Sequence, residues 1–308
     1  MRNIKGIFIA VTFCALLTYT CSAQEQFILN AEFTYSGVKE LDIKGAFCEV
    51  KIKAGGGNNV SCSGDIKGSS KEKDQFKIMH NQNGSTVKVW IEAPNNLEYI
   101  DGQLTFTVPK NVNLLVHNNS GNITVEGLKG EKLTLETSSG SISIKNIQTN
   151  PHLSASSGNI KVLNLTGNLD VKTSSGRQNL IDIKGNILTI ASSGKTRLSN
   201  IKGNINANCS SGGIHLENTS GSLKLRTSSG GIEGISLILT GDSEFQSSSG
   251  RIKMQLKHDL KDLSFDLTSG SGLIFVWGKQ YSKNHIKEGG KLLIKGVSSS
   301  GRQVYDKE

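Results

Sequence analysis

The 308-residue sequence is poor in aromatic residues and in proline. Aromatic residues make up 6% of the chain and prolines number three, whereas glycines number 35. A thick core of helices packed on a sheet needs more large apolar side chains than this composition offers. A disordered chain would lack regular patterning, and this chain is strongly patterned. The composition therefore favours a thin, repetitive core.

Long apolar runs are also missing, except for residues 7–17. This run follows the basic residues Arg2 and Lys5 and precedes the small residue Ala23, which is the arrangement of a removable secretory signal. It is shorter than the roughly 20 residues that a membrane-spanning helix needs. The sequence therefore predicts a signal peptide at 1–23, no transmembrane segment, and export to the periplasm or the cell surface.

Cys21 offers an alternative to cleavage after Ala23, because lipoprotein signals are cut before a cysteine that is then acylated. Tyr19 fits poorly with the small residues that usually precede such a cysteine. We therefore expect cleavage after Ala23 and keep a lipid anchor at Cys21 as the minor hypothesis.

The net charge of +9 falls to +7 after cleavage, since the first 23 residues contain two basic residues and no acidic ones. A basic balance is compatible with nucleic-acid binding, but the export signal and the scattered lysines argue against it. We expect a solvated surface of mixed charge and no nucleic-acid partner. Weak attraction to anionic glycans or lipids is compatible with this charge.

Three cysteines lie beyond the predicted signal peptide: Cys48, Cys62 and Cys209. Export permits disulfides, and a hairpin through the glycines at 55–57 would bring Cys48 and Cys62 together. The sequence does not define the register of that hairpin, so the pairing stays open. Without Cys-x-x-Cys spacing or companion histidines, the cysteines do not predict a metal site.

The dominant feature is an 18-residue repeat, and such periodicity is typical of solenoid folds. From Gly158 to Gly230 glycine recurs every nine residues, and alternate glycines follow a serine pair; Gly121 and Gly140 continue the Ser-Gly series upstream, and Gly250 and Gly270 continue it downstream in 20-residue steps. The Ser-Gly series comprises Gly121, Gly140, Gly158, Gly176, Gly194, Gly212, Gly230, Gly250 and Gly270, and the second series comprises Gly167, Gly185, Gly203 and Gly221.

Apolar residues alternate with polar ones between the glycines, which predicts strands with one buried face. One coil cannot bury its own apolar face, so neighbouring coils must stack. Equivalent residues then form columns inside the solenoid. The clearest columns are Leu169, Ile187, Ile205 and Leu223; Val171, Thr189, Ala207 and Leu225; and Thr173, Ala191, Cys209 and Thr227.

Ser-Ser-Gly is interpreted as the corner between strands. Glycine reaches positive φ without a Cβ clash, and serine hydroxyls satisfy backbone groups that a turn leaves unpaired. Stacked serines are also expected to hydrogen-bond from coil to coil. A ligand-binding or ice-binding ladder of hydroxyls is disfavoured, because the serines lie at turns rather than along a flat strand face.

These patterns predict an all-β fold, namely a β-solenoid of the β-helix or β-roll kind with 18-residue coils. We expect an irregular N-terminal β-strand capping region at 24–117, the solenoid body at 118–277, and a C-terminal cap and tail at 278–308. Trp277 and Tyr281 are interpreted as sealing the end of the core rather than as stacking on a sugar.

The sequence predicts no enzyme, no catalytic residues, no cofactor and no metal. The repeated serines lack an evident base and acid, no histidine has a second one at ligand spacing, and the turns lack the aspartates of a calcium β-roll. His215 is expected to face solvent. The histidines are His80, His117, His152, His215, His258 and His285, and the carboxylates, which form no evident column, include Glu126, Glu136, Asp170, Asp182 and Glu217.

The segments LTFTVP at 104–109 and NSGNITV at 119–125, with the run of Ser-Ser-Gly corners, resemble the "putative adhesin" or β-strand-repeat domain family of bacterial envelope proteins. The resemblance covers roughly residues 37–301. It implies a β-solenoid and an exported location, and it offers no catalytic residues to transfer. The word adhesin in that name is an analogy, and a fold does not define a function.

We therefore expect an exported, non-enzymatic envelope protein that acts as an adhesin-like binding or scaffold module. Its partner would be an envelope polymer, a glycan or another protein. Two alternatives stay open. One is a carbohydrate-active β-solenoid enzyme, which would need clustered carboxylates in a cleft, and the other is an envelope-stress or signalling component.

Overall fold

The computed structural model describes residues 26–55, 57–69, 74–94 and 100–308, and these residues are mostly β-strand. The predicted signal peptide, including Cys21, lies outside them. Within the described residues the longest helical element is a three-residue 3-10 turn at Leu260–Asp262. The strands are β1 (Gln26–Ser36), β2 (Glu40–Ala46), β3 (Glu49–Gly55), β4 (Asn59–Ser69), β5 (Lys77–Asn83), β6 (Thr86–Glu92), β7 (Asp101–Pro109), β8 (Asn113–Asn118), β9 (Ile123–Glu126), β10 (Lys132–Thr137), β11 (Ile142–Ile147), β12 (Asn150–Ala155), β13 (Ile160–Thr166), β14 (Leu169–Thr173), β15 (Gln178–Lys184), β16 (Ile187–Ala191), β17 (Thr196–Lys202), β18 (Ile205–Cys209), β19 (Ile214–Gly221), β20 (Leu223–Thr227), β21 (Ile232–Leu239), β22 (Ser243–Ser247), β23 (Ile252–Leu256), β24 (Leu263–Val276), β25 (Lys279–Lys287), β26 (Leu292–Ser298) and β27 (Gln303–Lys307).

Two stacks of mainly parallel strands build the molecule, because each strand of the body pairs with the strand one full coil away. The first stack runs β5–β6–β2–β8–β10–β12–β14–β16–β18–β20–β22–β26–β24–β25. The second stack runs β1–β4–β7–β3–β9–β11, continues through the odd-numbered strands to β23, and ends with β27 and the last residues of β24. The predicted β-solenoid is confirmed.

The strand register confirms the 18-residue coil. Leu169 faces Ile187, which in turn faces Ile205, and each of these side chains is buried. The other predicted columns are buried in the same way. A slip by one residue would turn every apolar side chain outwards, so the hydrophobic pattern and the coil length support each other.

The Ser-Ser-Gly glycines serve close approach rather than positive φ. Gly176, Gly194 and Gly212 are not among the residues with positive φ, so the predicted reason for these glycines is wrong. A Cβ atom on Gly194 would overlap the carbonyl oxygen of Gly176 in the preceding coil, and the same relation holds along the series from Gly140 to Gly250. Glycine is needed there because a neighbouring backbone occupies the space of the side chain.

The second glycine series combines close approach with an unusual backbone. Gly167, Gly185 and Gly203 have φ values of 143°, 149° and 151°, and a Cβ on each would also overlap a backbone oxygen of the preceding coil. The conformational freedom of glycine is therefore needed at the corner of this second series. Sequence analysis had predicted that need at the Ser-Ser-Gly corner.

Backbone groups, rather than serine hydroxyls, join the Ser-Ser-Gly corners. The amide of Ser193 donates to the carbonyl of Ser174 at 2.8 Å, and the amide of Ser211 donates to the carbonyl of Ser192 at 2.8 Å. The expected bonds between serines of successive coils are present, but the main chain makes them. Most of the corner serine hydroxyls therefore take no part in the hydrogen bonds that join successive coils.

A third bend, not anticipated from the sequence, lies within the longer strands of the second stack. A residue with left-handed backbone recurs there in six successive coils, and asparagine tolerates this conformation better than most residues. The bend interrupts the alternation, so that Val162 and Leu165 are both buried. The residues at the bend are Asn146, Asn164, Asp182, Asn200, Asn218 and Ser236, with φ between 50° and 58°.

Strand order is interleaved at both ends of the solenoid. The coil of β2 and β3 lies between that of β6 and β7 and that of β8 and β9. Likewise, β26 and β27 insert between β22 and β23 on one side and β24 on the other. Sequence analysis expected 278–308 to cover the last coil. The structure places its final two strands one coil inside, because β24 already forms the outer coil and the antiparallel β25 covers it.

Trp277 and Tyr281 pack partly buried against the core at this end. The indole ring of Trp277 meets the ring of Phe265 edge to face, with 6.0 Å between the centroids. This is the position expected of side chains that seal the end of the hydrophobic core. The division of the chain into 24–117, 118–277 and 278–308 stays a prediction.

Replacing Gly194 by alanine should destabilise the protein, because the new Cβ would overlap the Gly176 carbonyl oxygen and push two coils apart. We expect a loss of about 1–3 kcal/mol or more, as for other overpacked sites. Urea unfolding followed by circular dichroism measures this loss in the free energy of unfolding. Gly241→Ala is the matched control, because a Cβ there lies 3.4 Å from its nearest neighbour, the Cβ of Ser222. Equal stabilities of the two variants would contradict the close-approach role.

Candidate binding surface

Three histidines pair with a carboxylate on the adjacent coil, on the outer faces of the solenoid. Each pair consists of register partners in a parallel ladder, and exposed pairs of this kind contribute little to stability. His215 is partly exposed, as predicted. Among the described residues, no three or more His, Cys, Asp or Glu side chains converge as metal ligands would. The pairs are His117 with Glu136 at 3.1 Å, His152 with Asp170 at 3.0 Å, and His215 with Glu233 at 3.4 Å.

The other carboxylates singled out from the sequence lie apart from one another. Glu126 is 3.8 Å from the Lys145 ammonium, Asp182 accepts a hydrogen bond from the side chain of Asn200 at 2.8 Å, and Glu217 is exposed. The structure therefore does not bring them together as an acid and base pair.

Cys48, Cys62 and Cys209 are free and buried. The disulfide between Cys48 and Cys62 that the sequence left open is not formed. Burial raises the pKa of both thiols to about 12, and for Cys48 the nearby Asp101 and Asp65 add to the effect. Thiols this hard to ionise are poor nucleophiles and poor metal ligands, so these cysteines act as core side chains.

An asparagine ladder lines a groove of about 660 Å³ on the first stack. The amide of Asn168 donates to the side-chain oxygen of Asn150 at 2.7 Å, and the amide of Asn186 donates to Asn168 at 2.9 Å. Asn204 and Ser222 continue the series. Sequence analysis missed this ladder, although the Gly-Asn pairs at 18-residue spacing indicate it. The amides of Asn168, Asn186, Asn204 and Ser222 are thus satisfied by the chain itself.

A second groove, of about 530 Å³, lies on the outer face of the second stack. We call it the basic groove. Its floor is Gly213 and Gly231, which follow the Ser-Ser-Gly glycines in two successive coils. Because these two residues have no side chain, a depression opens between Lys195 on one side and Arg251 on the other. The charged or titratable residues along the groove are Lys195, Arg197, His215, Glu233, Arg251 and Lys253.

Cations outnumber acids in the basic groove. Within the part of the chain that the structure describes, Lys195, Arg197 and Arg251 form no ion pair. Glu233 lies 3.8 Å from Lys253 and 3.4 Å from His215. One carboxylate thus faces four cationic side chains. The sequence signal for this groove, which was overlooked, is a Ser-Ser-Gly-Gly corner at 210–213 and again at 228–231.

The family of the chain follows from its sequence. A profile of the Toastrack DUF4097 family matches residues 38–153 and again residues 152–306. The chain therefore belongs to that family, which confirms the resemblance drawn from the Ser-Ser-Gly corners. No protein with curated annotation matches the sequence.

The solved structures that are similar to this chain include the following three. A putative cell adhesion protein from Clostridium sporogenes is 10% identical, with a TM-score of 0.25, over 92% of this chain and 100% of its own. A putative adhesin from Parabacteroides distasonis is 10% identical, with a TM-score of 0.34, over 73% and 98%. A putative lipid binding protein from the same species is 12% identical, with a TM-score of 0.38, over 90% and 96%. Likeness at this level does not bear on what this chain binds.

In the described ranges, no helix has the length and apolar character needed to span a membrane.

Arg226 and Glu244 form a close charge pair on the outer face of the first stack, with 2.8 Å between Nη2 and Oε1. The hydrogen bond from Arg226 lowers the pKa of Glu244, against a smaller opposing effect of burial. Since the folded-state pKa lies below the ordinary value, the ionised carboxylate stabilises the fold at neutral pH, and this contribution is lost as the pH falls through the lowered pKa.

Glu244→Gln should therefore lower the thermal midpoint slightly at neutral pH. The difference from the wild type should disappear as the pH falls through the lowered pKa of Glu244, because the protonated carboxyl group is then neutral like the amide of the variant. Thermal unfolding across this pH range measures it, and Glu217→Gln, at an exposed position, is the control. A difference between Glu244→Gln and the wild type that stays constant with pH would contradict the assignment.

Proposed function

We propose that this protein is an exported, non-enzymatic module of the bacterial cell envelope that binds an extended partner along the outer faces of its solenoid. The observation that carries the proposal is the strict register of the coils. Outward side chains recur once per coil, at about 4.8 Å along the axis. Such a surface suits a long partner with a regular repeat better than a compact substrate.

The two grooves support this proposal. Both run across several coils on an outer face, one lined by asparagines and one by basic residues. Among the carboxylates singled out from the sequence, Glu126 lies near Lys145, Asp182 accepts from Asn200 and Glu217 is exposed. They do not form the pair across a cleft that glycoside hydrolysis needs, which favours binding over hydrolysis.

Export rests on the N-terminal segment, so the first experiment follows its processing. Cells producing the full chain are fractionated and intact cells are treated with protease. We expect the chain to be cut after Ala23 and recovered outside the cytoplasm, because residues 1–23 have the features of a secretory signal. A variant lacking residues 2–23 is the control and should stay in the cytoplasm.

The outcome of this experiment distinguishes a surface binding module from an envelope scaffold. Protease access from outside supports a surface binding module, and protection supports envelope scaffolding. Cys21→Ser tests the minor hypothesis, since it would release a lipid-anchored form from the membrane and leave a soluble form unchanged. An unprocessed chain in the cytoplasm would contradict the proposal.

A further inference from the structure

We propose that the basic groove binds an acidic polysaccharide in extended form. This inference deepens the proposed function by naming a partner class, and it rests on that function. Two independent features of the groove point to an anionic ligand. One is a row of backbone amides without acceptors, and the other is the arrangement of cations around them.

The amides belong to the residue that follows each Ser-Ser-Gly glycine. In the N-terminal coils, each such amide donates to a side chain at the same position one coil earlier. The amide of Ser141 donates to Asn122 at 2.9 Å, that of Asn159 to Ser141 at 3.3 Å, and that of Arg177 to Asn159 at 2.9 Å. The chain itself supplies the acceptors up to this point.

The ladder of acceptors stops at the basic groove. The side chains one coil before Lys195 and Gly213 are those of Arg177 and Lys195, which have no acceptor atom. The residues one coil before Gly231 and Arg251 are glycines without a side chain. These four amides therefore have no hydrogen-bond partner among the described residues. At the equivalent corner of the first stack, the asparagine ladder continues to Ser222.

Cations extend the row in both directions. The residues after successive Ser-Ser-Gly glycines are neighbours in space, as the bonds from Thr196 to the Gly213 carbonyl and from Ile214 to the Gly231 carbonyl show. From Arg177 through the groove to Arg302 there are five coil steps, or about 24 Å at roughly 4.8 Å per strand. The amide N–H groups and the cations together make a row of donors, beside which Glu233 is the one carboxylate of the groove lining, and such rows of donors bind anions.

The shape of the groove selects among anions. Its lining contains no Phe, Tyr or Trp side chain, whereas sites for single-stranded nucleic acid rely on aromatic stacking of bases. Its floor is two glycines wide, so a sugar ring can lie against the backbone there. The volume of about 530 Å³ is in the range of about 300–1,000 Å³ that holds small organic groups. Acidic sugars, with a ring and a charge on each short monomer, match this combination.

The test measures binding of a fluorescent oligogalacturonate to the full chain by anisotropy, at several salt concentrations. A sulfated heparin oligosaccharide tests sulfate against carboxylate, neutral dextran is the uncharged reference, and a thymidine oligonucleotide tests nucleic acid. We expect saturable binding of an acidic oligosaccharide that weakens with salt, and no binding of dextran.

Two pairs of substitutions separate the contribution of the cations from that of the backbone amides. Lys195→Glu with Arg251→Glu reverses the charge at both ends of the groove. Gly213→Asn with Gly231→Asn leaves the charge unchanged, gives the amides of residues 231 and 251 a side-chain acceptor one coil earlier, and fills the floor. A Cβ at these glycines lies 3.1 Å and 3.3 Å from a backbone oxygen, so the fit is tight and thermal unfolding must confirm folding. Each pair should weaken binding at least about tenfold, or about 1.4 kcal/mol.

The matched control is Lys172→Glu with Lys184→Glu, which makes the same change in net charge at exposed positions outside the groove. It should retain binding within about twofold, less than 0.5 kcal/mol. Equal loss in the control, unchanged binding in both groove variants, or equally tight binding of the oligonucleotide would overturn the inference.

Co-sedimentation with isolated cell envelopes separates this inference from the proposed function. If the wild type and the groove variants sediment with envelopes equally well, the groove assignment fails and the binding function stands. If the wild type neither sediments with envelopes nor binds any oligosaccharide, both fail.

Discussion

The contact between Ser-Ser-Gly glycines of successive coils is the constraint on which the rest of the structure depends. At each of these corners a backbone carbonyl occupies the place of a side chain in the next coil. The corner can therefore stack only at one distance and in one register. That register places Leu169, Ile187 and Ile205 in one column, and it brings corner amides within reach of carbonyls one coil away. A thin core is sufficient because its columns are continuous.

Hydrogen bonds within the solenoid are satisfied mostly from coil to coil. The buried Gln178 donates to the Ile190 carbonyl of the next coil at 2.9 Å and to the nearby Thr173 hydroxyl at 3.0 Å, and it accepts from the Thr196 hydroxyl one coil on at 3.3 Å. Buried polar groups without partners are costly, so satisfaction of this kind is expected inside. The basic groove departs from it at the surface, where four successive amides lack the acceptor that Asn122 and Asn159 supply elsewhere. A break in a regular ladder is a reason to look for a ligand.

The sequence predicted the solenoid, the coil length and the buried columns, because alternation and spacing depend only on nearby residues. It gave a wrong reason for Gly194, since a missing side chain does not reveal which atom excludes it. It did not foresee that β26 and β27 insert inside the outer coil, because that pairing joins segments far apart in the chain. The basic groove was missed because Gly213 and Gly231 form a floor only when Lys195 and Arg251 lie on either side of them in space.

The register of the stack can be tested directly by deletion. Removing residues 187–204 takes out one whole coil and joins Asn186 to Ile205, which reproduces the original junction between residues 204 and 205. Removing residues 187–195 takes out half a coil. Repeat proteins tolerate the loss of whole units, so the first variant should give the β-sheet circular dichroism and cooperative unfolding of the wild type, and the second should not. Cooperative folding of the half-coil deletion, or failure of the whole-coil deletion to fold, would contradict the account.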